Sequence, residues 1–368
     1  MQIEFEREAI VPALGMVVNV VERRQTLPIL GNLLLQTQED SVAITATDLE
    51  LQIATRADAH VIEPGAITLP ARKFVDICRT LPEQAKIKLQ VDGDRVTVRS
   101  GRSRFVLSTL PAVEYPALES SFGEGTLKIE QGILKRLLEK TAFSMAQQDV
   151  RYYLNGLLLE LSAGLIRVVA TDGHRLAKAE VALDALNEWT ETTQMIIPAK
   201  SVTEIKRLLS HSTETVEMEF GSRALAVRFI DTVLTTKLVD GRYPEYERVI
   251  PKNLEYKAIV ERDPMRAALQ RTSILSNEKY KGVRITFTPG LMALDSNNPE
   301  REEAEDEVAI DYDGDPITIG FNVSYLTDVL ATIDGATFEV QFSDSNSSAL
   351  WQDPETPQEV YVIMPMRL

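Results

Sequence analysis

Three aspartates recur at matching positions along the chain and, with one histidine, could support acid–base chemistry. Asp48 and Asp172 each follow an Ala-Thr pair, 124 residues apart, and Asp295 lies where a third copy would fall. A carboxylate near His174 would supply the groups that general acid–base catalysis uses. Each aspartate belongs to a different repeat, however, so the carboxylates need not converge. The sequence also has no glycine-rich phosphate loop or nucleophile elbow. We therefore predict a non-catalytic protein.

The sequence has few residues that could bind a metal or form a disulfide. Cys78 is the only cysteine, which excludes an intramolecular disulfide, and the three histidines are His60, His174 and His211. These residues do not have the spacing of a zinc site. We predict neither a metal nor any other cofactor.

The aspartates belong to a longer repeat. Leu33–Leu35 match Leu157–Leu159 at the same spacing of 124 residues, and Val283–Ile285 continue the series after a further 126. A chain of 368 residues also exceeds what one core usually organises. Repeat and length together predict three related domains, at residues 1–122, 127–250 and 256–368, with linkers near 120–126 and 251–255.

Each repeat is expected to contain two helices and several short strands. The predicted first helices cover Arg7–Glu22, the stretch around Ile133–Ala142, and a segment beginning with Asp263 as the N-cap and Pro264 at the first helical position. The predicted second helices are Ala71–Leu81, Ala199–Leu209 and Asn322–Ile333. Predicted strands include Ser41–Thr47, Lys86–Val91, Arg95–Ser100 and Val360–Met364. This order predicts an α+β fold with helices packed on antiparallel sheets.

Composition indicates the environment of the protein. Hydrophobic residues make up 44% and charged residues 26%, as in globular proteins. No apolar run reaches the ~18 residues of a membrane span, and the acidic start Met1–Glu6 is unlike a secretory signal. We expect a cytoplasmic protein without a membrane partner. The net charge of −16 argues against nonspecific binding to nucleic acid unless Lys and Arg gather locally.

Basic side chains do gather on the predicted helices of the first two repeats. Examples are Arg72, Lys73, Lys135, Lys200 and Arg207. Helices arranged around an arc would present a basic lining that holds DNA by its phosphates, without sequence readout. An ordinary solvated helix face explains most single charges of this kind. A peptide-binding scaffold that ignores DNA is a further alternative, and it predicts no loss of function when these faces are neutralised.

Opposite charges mark the two terminal repeats. The first repeat has basic residues beside Phe105 and Leu107, whereas the third has an acidic block at 300–307. Such blocks are often only solvated loops. Opposite signs at the two ends would also let the front of one chain meet the back of another, so that two copies close a ring.

Several longer motifs, in order along the whole chain, resemble the bacterial DNA polymerase III beta subunit family of replicative sliding clamps. They are Gln25–Leu30, Gln148–Gly156, Ala170–Leu176, Lys237–Pro244, Ser276–Tyr280 and Val362–Leu368. The resemblance implies a head-to-tail homodimer, a ring of six similar clamp domains around duplex DNA. A clamp loader opens such a ring with ATP. Because the closed ring prevents escape, each phosphate contact can remain weak.

The resemblance also implies three binding surfaces. One is a pocket for clamp-binding peptides of the replicative polymerase alpha subunit, other polymerases and repair proteins, made of Leu154, Thr171, Gly173, His174, Arg175, Leu176, Pro244, Arg248, Val249, Asn322, Tyr325, Ser348, Val362, Met364, Pro365, Met366 and Arg367. The second contacts duplex DNA through Arg24, Gln148, Tyr152, Tyr153, Lys200 and Tyr280. The third is the dimer interface, with Lys73, Arg95, Arg102, Arg104, Phe105, Leu107, Ile274, Leu275, Glu300, Glu302, Glu303, Glu305 and Asp306. Without the resemblance, the two methionines and His174 would be read as packing or turn residues.

Overall fold

The described residues of the first repeat form nine strands and two helices. The computed structural model of the chain describes residues 1–22, 27–118 and 122–367. In chain order the first repeat has β1 (Gln2–Glu6), α1 (Arg7–Val17), β2 (Asn32–Gln38), β3 (Ser41–Thr47), β4 (Leu51–Asp58), β5 (His60–Glu63), β6 (Ala66–Pro70), α2 (Ala71–Thr80), β7 (Lys86–Asp92), β8 (Arg95–Ser100) and β9 (Ser103–Ser108). The helix α1 is shorter than predicted because Val18–Val20 tighten into a 3-10 turn.

The second and third repeats follow the same order, but each has four strands between its two helices where the first repeat has five. The second has β10 (Gly125–Glu130), α3 (Gln131–Thr141), β11 (Gly156–Ser162), β12 (Leu165–Thr171), β13 (Arg175–Ala182), β14 (Thr193–Pro198), α4 (Ala199–Leu208), β15 (Thr215–Phe220), β16 (Ala224–Arg228) and β17 (Thr232–Lys237). The third has β18 (Tyr256–Glu261), α5 (Arg262–Thr272), β19 (Gly282–Thr288), β20 (Leu291–Asn297), β21 (Glu303–Asp311), β22 (Ile317–Asn322), α6 (Val323–Thr332), β23 (Thr337–Phe342), β24 (Ala349–Gln352) and β25 (Glu359–Ile363). Two helices per repeat, among the described residues, confirm the prediction.

The predicted cap of α5 is wrong. The helix begins at Arg262, so Asp263 and Pro264 lie inside its first turn. A side-chain cap is not needed, because the Arg262 backbone N–H donates to the Ala336 carbonyl at 2.8 Å. The first helices of the other repeats begin in the same way, through Arg7 to the Ala85 carbonyl and Gln131 to the Glu214 carbonyl. By contrast, α6 has a side-chain cap, where Asn322 Oδ1 accepts the Ser324 backbone N–H at 2.9 Å.

The chain divides into two compact units, and the boundary between them falls within the central repeat. The first unit is Met1–Ile133 with Thr203–Leu238, and the second is Leu134–Val202 with Val239–Leu368. The first unit holds a sheet in the order β5-β1-β7-β8-β9 and one in the order β10-β15-β16-β17-β4-β3-β2-β6. The second holds a twelve-stranded sheet in the order β14-β11-β12-β13-β25-β24-β23-β18-β21-β20-β19-β22. Both large sheets therefore join strands of neighbouring repeats, β17 with β4 and β13 with β25.

Apolar residues at helical spacing are buried against these sheets, as predicted. On α1 and the turn after it, Ile10, Leu14 and Val17 have no exposed surface, and Val18 and Val21 are also buried. On α2, Phe74 is buried and contacts Phe5 of β1 edge-to-face. The core of the third repeat is aromatic, with Phe338 stacked on Trp351. Burial of these faces fixes which side of each helix remains available for function.

Candidate functional site: a peptide pocket beside the 171–176 turn

The recurring Ala-Thr-Asp triplet is a turn motif. In the central repeat Asp172 Oδ1 accepts the backbone N–H groups of His174 and Arg175, at 2.9 and 3.0 Å. In the first repeat Asp48 Oδ1 accepts those of Glu50 and Leu51, at 2.9 and 2.7 Å. An aspartate that satisfies backbone donors two and three residues ahead stabilises a tight turn. These two carboxylates therefore shape strand connections, and Asp295 differs because it lies within β20.

Gly173 allows an arginine to pack directly on this turn. Its φ of +90° lies in the left-handed region, and a Cβ there would lie 2.8 Å from Arg151 Nη2. The Arg151 guanidinium donates to Asp149 at 2.8 and 3.0 Å and to the Asp172 carbonyl at 3.1 Å. The hydrogen bonds from Arg151 lower the pKa of Asp149 to about 2. The 149–151 loop is thus tied to the 171–176 turn.

Arg175 is a structural arginine within the predicted pocket. Its guanidinium donates to Asp172 of the turn at 3.2 Å, to Asp328 of α6 at 2.5 Å and to the Phe143 carbonyl at 2.6 Å. It also lies 4.5 Å from the centre of the Tyr325 ring. Only 10% of its side chain is exposed. Arg175 and Tyr325 therefore connect the 171–176 turn to α6 beneath the surface of the predicted pocket.

Three other predicted pocket residues also lie beneath the surface. Leu154, Leu176 and Val362 are buried in one apolar cluster, together with Tyr243 and Tyr246. The more exposed predicted members are His174, Pro244, Arg248, Val249 and Arg367, whereas Ser348, Met364, Pro365 and Met366 are half-buried. The result is an apolar base with a polar and sulfur-containing rim, which suits a short peptide.

Backbone hydrogen bonds fasten the carboxyl-terminal tail, residues 364–367, beside this base. The Met364 N–H donates to the His174 carbonyl at 2.9 Å, and the Met366 N–H donates to the Gly320 carbonyl at 2.7 Å. A cavity of about 380 Å³ next to the tail is lined by Arg284, Thr318, Gly320, Ser345, Asn346, Pro365, Met366 and Arg367. Three residues of the predicted pocket, Pro365, Met366 and Arg367, thus line this cavity.

Two tyrosines hold the segment that carries Pro244, Arg248 and Val249. The Tyr243 hydroxyl accepts the Thr171 backbone N–H at 3.1 Å, and burial raises the pKa of Tyr243. The Tyr246 hydroxyl accepts from Arg167 at 2.9 Å, and burial raises its pKa to about 12. Sequence reasoning missed both tyrosines and Arg167, because a hydroxyl pointing into a neighbouring strand leaves no periodic signal.

Tyr115 is the counterpart of Tyr243 in the first repeat. Its hydroxyl accepts the Thr47 backbone N–H at 3.2 Å, and Thr47 holds the same place in its triplet as Thr171. The Tyr115 ring is buried. The same anchor therefore exists in a repeat for which no peptide pocket is predicted.

The predicted DNA residues are spread over several elements. Gln148, Tyr152 and Tyr153 share the loop before β11, where Tyr152 is 57% exposed and its ring meets Tyr153 edge-on. Tyr280 is similarly exposed, with Lys279 Nζ 5.2 Å from its ring centre. Lys200 lies half-buried in the first turn of α4. Arg24 lies outside the described residues.

The predicted interface residues are largely exposed. Lys73, Arg95, Arg102 and Arg104 are exposed, while Phe105, Leu107 and Leu275 are half-buried and Ile274 is 76% exposed. Among the acidic residues, Glu300, Glu302, Glu303 and Glu305 are also exposed. Asp306 is different, because Arg271 of the same chain pairs with it at 2.6 Å and lowers its pKa. Its charge is already partnered.

Within the described residues, no helix is long and apolar enough to cross a membrane. The same part of the chain contains no group of three His, Cys, Asp or Glu side chains that could hold a metal ion.

Comparisons with known proteins cover the whole chain. Residues 1–119, 128–245 and 247–367 match family models described as the N-terminal, central and C-terminal domains of the DNA polymerase III beta subunit. The beta sliding clamps of Pseudomonas putida and Escherichia coli K12 are 47% and 44% identical, with all of both chains covered. A crystal structure of DNA polymerase III subunit beta from Pseudomonas aeruginosa is 46% identical in sequence and has a TM-score of 0.95. A crystal structure of a sliding clamp from Bartonella birtlesii bound to griselimycin is 36% identical and also has a TM-score of 0.95. Both comparisons cover the full length of both chains.

Proposed function

This chain belongs to the DNA polymerase III beta subunit family, and we propose that separate surfaces of it serve DNA, partner peptides and a second copy. It is a sliding clamp, a non-catalytic, ring-forming processivity factor that encircles duplex DNA and tethers the replicative polymerase. An ATP-driven clamp loader places it on DNA. The match of three family models along one chain carries this conclusion. We place its three clamp domains at residues 1–122, 127–250 and 256–368 and its action in the cytoplasm.

The peptide site proposed here is the surface formed by the 171–176 turn, the 239–250 segment and the tail. Buried Leu154, Leu176 and Val362 supply a rigid apolar base, and the half-buried Met364 supplies an adaptable thioether. We propose that the alpha subunit of the replicative polymerase, other polymerases, repair proteins and the clamp loader all dock short segments there. Because one surface serves them all, these partners should compete.

For duplex DNA we propose Arg24, Gln148, Tyr152, Tyr153, Lys200 and Tyr280. The exposure of Tyr152 and Tyr280 supports this assignment, since both rings can reach sugars or bases.

For the second copy we propose a head-to-tail contact between the basic β8–β9 face of one protomer and the acidic β21 face of the next. Phe105, Leu107, Ile274 and Leu275 provide its apolar centre, because exposed ion pairs add only about 0–1 kcal/mol each.

The decisive experiment is retention on nicked circular DNA after loading by the cognate clamp loader with ATP. A ring that encircles DNA stays on the circle and is released when the circle is cut, because topology and not affinity holds it. Retention on both forms would instead mean direct DNA binding. Failure to load, with a loader that is active on another clamp, would favour the peptide scaffold.

The peptide site is tested by a chain that ends at Ile363. Removing residues 364–368 takes away Met364, Pro365, Met366 and Arg367 together with the tail hydrogen bonds, but leaves β25 intact. The truncated chain should no longer bind a peptide carrying the clamp-binding segment of the polymerase alpha subunit, and should remain a dimer in sedimentation. Loss of the dimer would place the tail in the subunit interface.

A further inference from the structure

We propose that a second cavity beside the tail, here called the tail cavity, binds an acidic segment of a partner protein adjacent to its clamp-binding peptide. The tail cavity has a volume of about 420 Å³, and its lining includes Tyr280, Arg284, Asp295, Asn297, Met366 and Arg367. This volume lies within the range of ligand pockets, roughly 300–1,000 Å³. The inference rests on the proposed peptide site and extends it.

The tail cavity is continuous with the proposed peptide site. Arg284, Met366 and Arg367 line both this cavity and the 380 Å³ cavity that contains Pro365. Between the two volumes, the tail is fastened by the hydrogen bond from the Met366 N–H to the Gly320 carbonyl. A peptide seated against the tail therefore has a second open volume within reach of its next few residues.

The charges of the tail cavity favour an acidic occupant. Among the residues that line it, Arg284 and Arg367 are basic and Asp295 is acidic, so the lining has one excess positive charge in a chain of net charge −16. Glu302 is not part of the lining but accepts the side-chain N–H of the lining residue Asn298 at 2.7 Å. A carboxylate side chain can pair with a guanidinium through two parallel hydrogen bonds. Glutamate or aspartate next to the core peptide would provide such a group.

Arg284 and Asp295 are available for this contact. They lie opposite each other in the register of β19 and β20, and both are half-buried. In the part of the chain that the structure describes, neither side chain has an ion pair or hydrogen bond. Half-buried charges without partners gain the most from a ligand that satisfies them. An extended acidic segment can do so twice, with a side-chain carboxylate on Arg284 and a backbone N–H on Asp295.

The lining also distinguishes a peptide from a small inorganic anion. A sulfate ion has no hydrogen to donate to Asp295, whereas a peptide backbone offers its N–H groups. Tyr280 and Met366 add ring and thioether surface that an inorganic anion cannot use but that a side chain can cover. The occupant is therefore a peptide segment.

The test uses the full-length protein and three fluorescent peptides. The first carries the clamp-binding segment of the polymerase alpha subunit, the second adds three glutamates at each end, and the third adds three glutamines instead. Fluorescence anisotropy at low salt should give a dissociation constant roughly three- to tenfold lower for the glutamate peptide than for the glutamine peptide, about the net effect of one ordinary hydrogen bond. Arg284→Gln should bring the ratio of the two dissociation constants to about one, and this ratio is the readout because Arg284 also lines the 380 Å³ cavity.

A matched variant and a conservative variant complete the design. Arg266→Gln removes the same charge from an exposed position on α5 that does not line the cavity, and it should keep the difference. Arg284→Lys should keep part of it, because the charge remains but the planar fork is lost. An equal loss in Arg266→Gln and Arg284→Gln would reduce the effect to net charge and overturn the proposal.

The outcomes separate this inference from the proposed function. If the glutamine peptide fails to bind the wild-type protein, the peptide site itself is wrong. If it binds and the glutamate peptide binds no more tightly, the peptide site stands and the tail cavity has no role. Thermal unfolding of Arg284→Gln checks that the variant is folded, and raising the salt concentration on the wild type should abolish the glutamate advantage independently of any variant.

Discussion

At the scale of single residues, Arg175 shows how a residue of the predicted pocket also holds neighbouring elements together. It joins the 171–176 turn, α6 and the Phe143 carbonyl through three hydrogen bonds. Its neighbours in the predicted pocket differ in role, since Arg248 is 82% exposed and pairs with Glu245 at the surface. Two residues of the same predicted pocket can therefore have different roles, and burial and contacts distinguish them.

We predict that Arg175→Gln destabilises the protein by about 1–3 kcal/mol, because Asp172 and the Phe143 carbonyl lose a donor in a nearly buried place. Arg248→Gln should change the free energy of unfolding by less than about 0.5 kcal/mol. Urea denaturation of the full-length protein, followed by the fluorescence of Trp189 and Trp351, which both lie in the second compact unit, measures both. Similar stability of the two variants would mean that water replaces the lost contacts of Arg175.

A second prediction concerns Cys78 and high pH. Burial raises the pKa of its thiol from 9.0 to about 12. Because the folded pKa is raised, the thiol contributes its full stabilisation below about pH 9 and loses it as the pH rises toward 12. The native protein should react very slowly with a thiol reagent at pH 8.5, and denaturant should release one thiol per chain. Rapid labelling of the native protein would show that the α2 face opens.

At the scale of elements, the Ala-Thr-Asp turn and its tyrosine anchor occur twice with the same geometry. Tyr243 and Tyr115 each accept the backbone N–H of the threonine in their triplet. Only Tyr243 also flanks the segment with Pro244, Arg248 and Val249. Comparing the two tyrosines therefore distinguishes the structural role of the anchor from its role in the proposed peptide site.

We predict that Tyr243→Phe reduces stability by about 1–3 kcal/mol, because the Thr171 N–H loses its buried acceptor. Tyr115→Phe should cost at least as much, because the Tyr115 hydroxyl also donates toward the Asn32 and Thr45 carbonyls, at 3.2 and 3.3 Å. Only Tyr243→Phe should weaken binding of the polymerase alpha subunit peptide, by roughly three- to tenfold, because its segment is less firmly held. Anisotropy and urea denaturation on both variants check this. Equal peptide affinity of the two would show that the 239–250 segment is positioned by other contacts.

The sequence was most informative where a local pattern determines structure. The alternation over Ser41–Thr47 and Arg95–Ser100 predicted β3 and β8 with their observed bounds. It was wrong at Asp263, because the carbonyl that caps α5 comes from Ala336, more than seventy residues away. The pairing of β17 with β4 and of β13 with β25 was also not foreseen, since alternation fixes the face of a strand but not its partner. Arg175 could be placed in the pocket by family resemblance, but its three contacts depend on the tertiary structure.

At the scale of the whole molecule, the opposite charges of the terminal repeats bear on how two copies meet. The basic residues of β8 and β9 face solvent, with Arg99 directly opposite Arg104. Like charges so close repel, and a partner surface with carboxylates relieves that repulsion. On β21, Glu303 is exposed, whereas Asp306 is paired with Arg271. Glu300 and Glu303 are therefore better candidates for the subunit contact than Asp306.

We predict that the double change Glu300→Lys and Glu303→Lys raises the dimer dissociation constant by about tenfold or more at low salt, and less at high salt. The control is Asp313→Lys with Glu355→Lys, which makes the same charge change at exposed positions outside the acidic block. Sedimentation velocity over a dilution series measures both. An unchanged dimer in the first variant would leave the apolar centre as the source of the affinity.

The pairing of β17 with β4 also has a consequence for the time course of synthesis. The hydroxyls of Thr55 and Thr232 lie 2.8 Å apart, yet 177 residues separate them. At about 5–20 residues per second, a ribosome takes about 9–35 s to make the intervening chain. During that interval the first domain has emerged with one edge of its sheet open to any other strand. Arg56 and Asp58 on that edge carry charges of the kind that disfavour pairing with a foreign strand. Once the later segment has been made, Arg56 pairs with Asp231, next to the native partner strand.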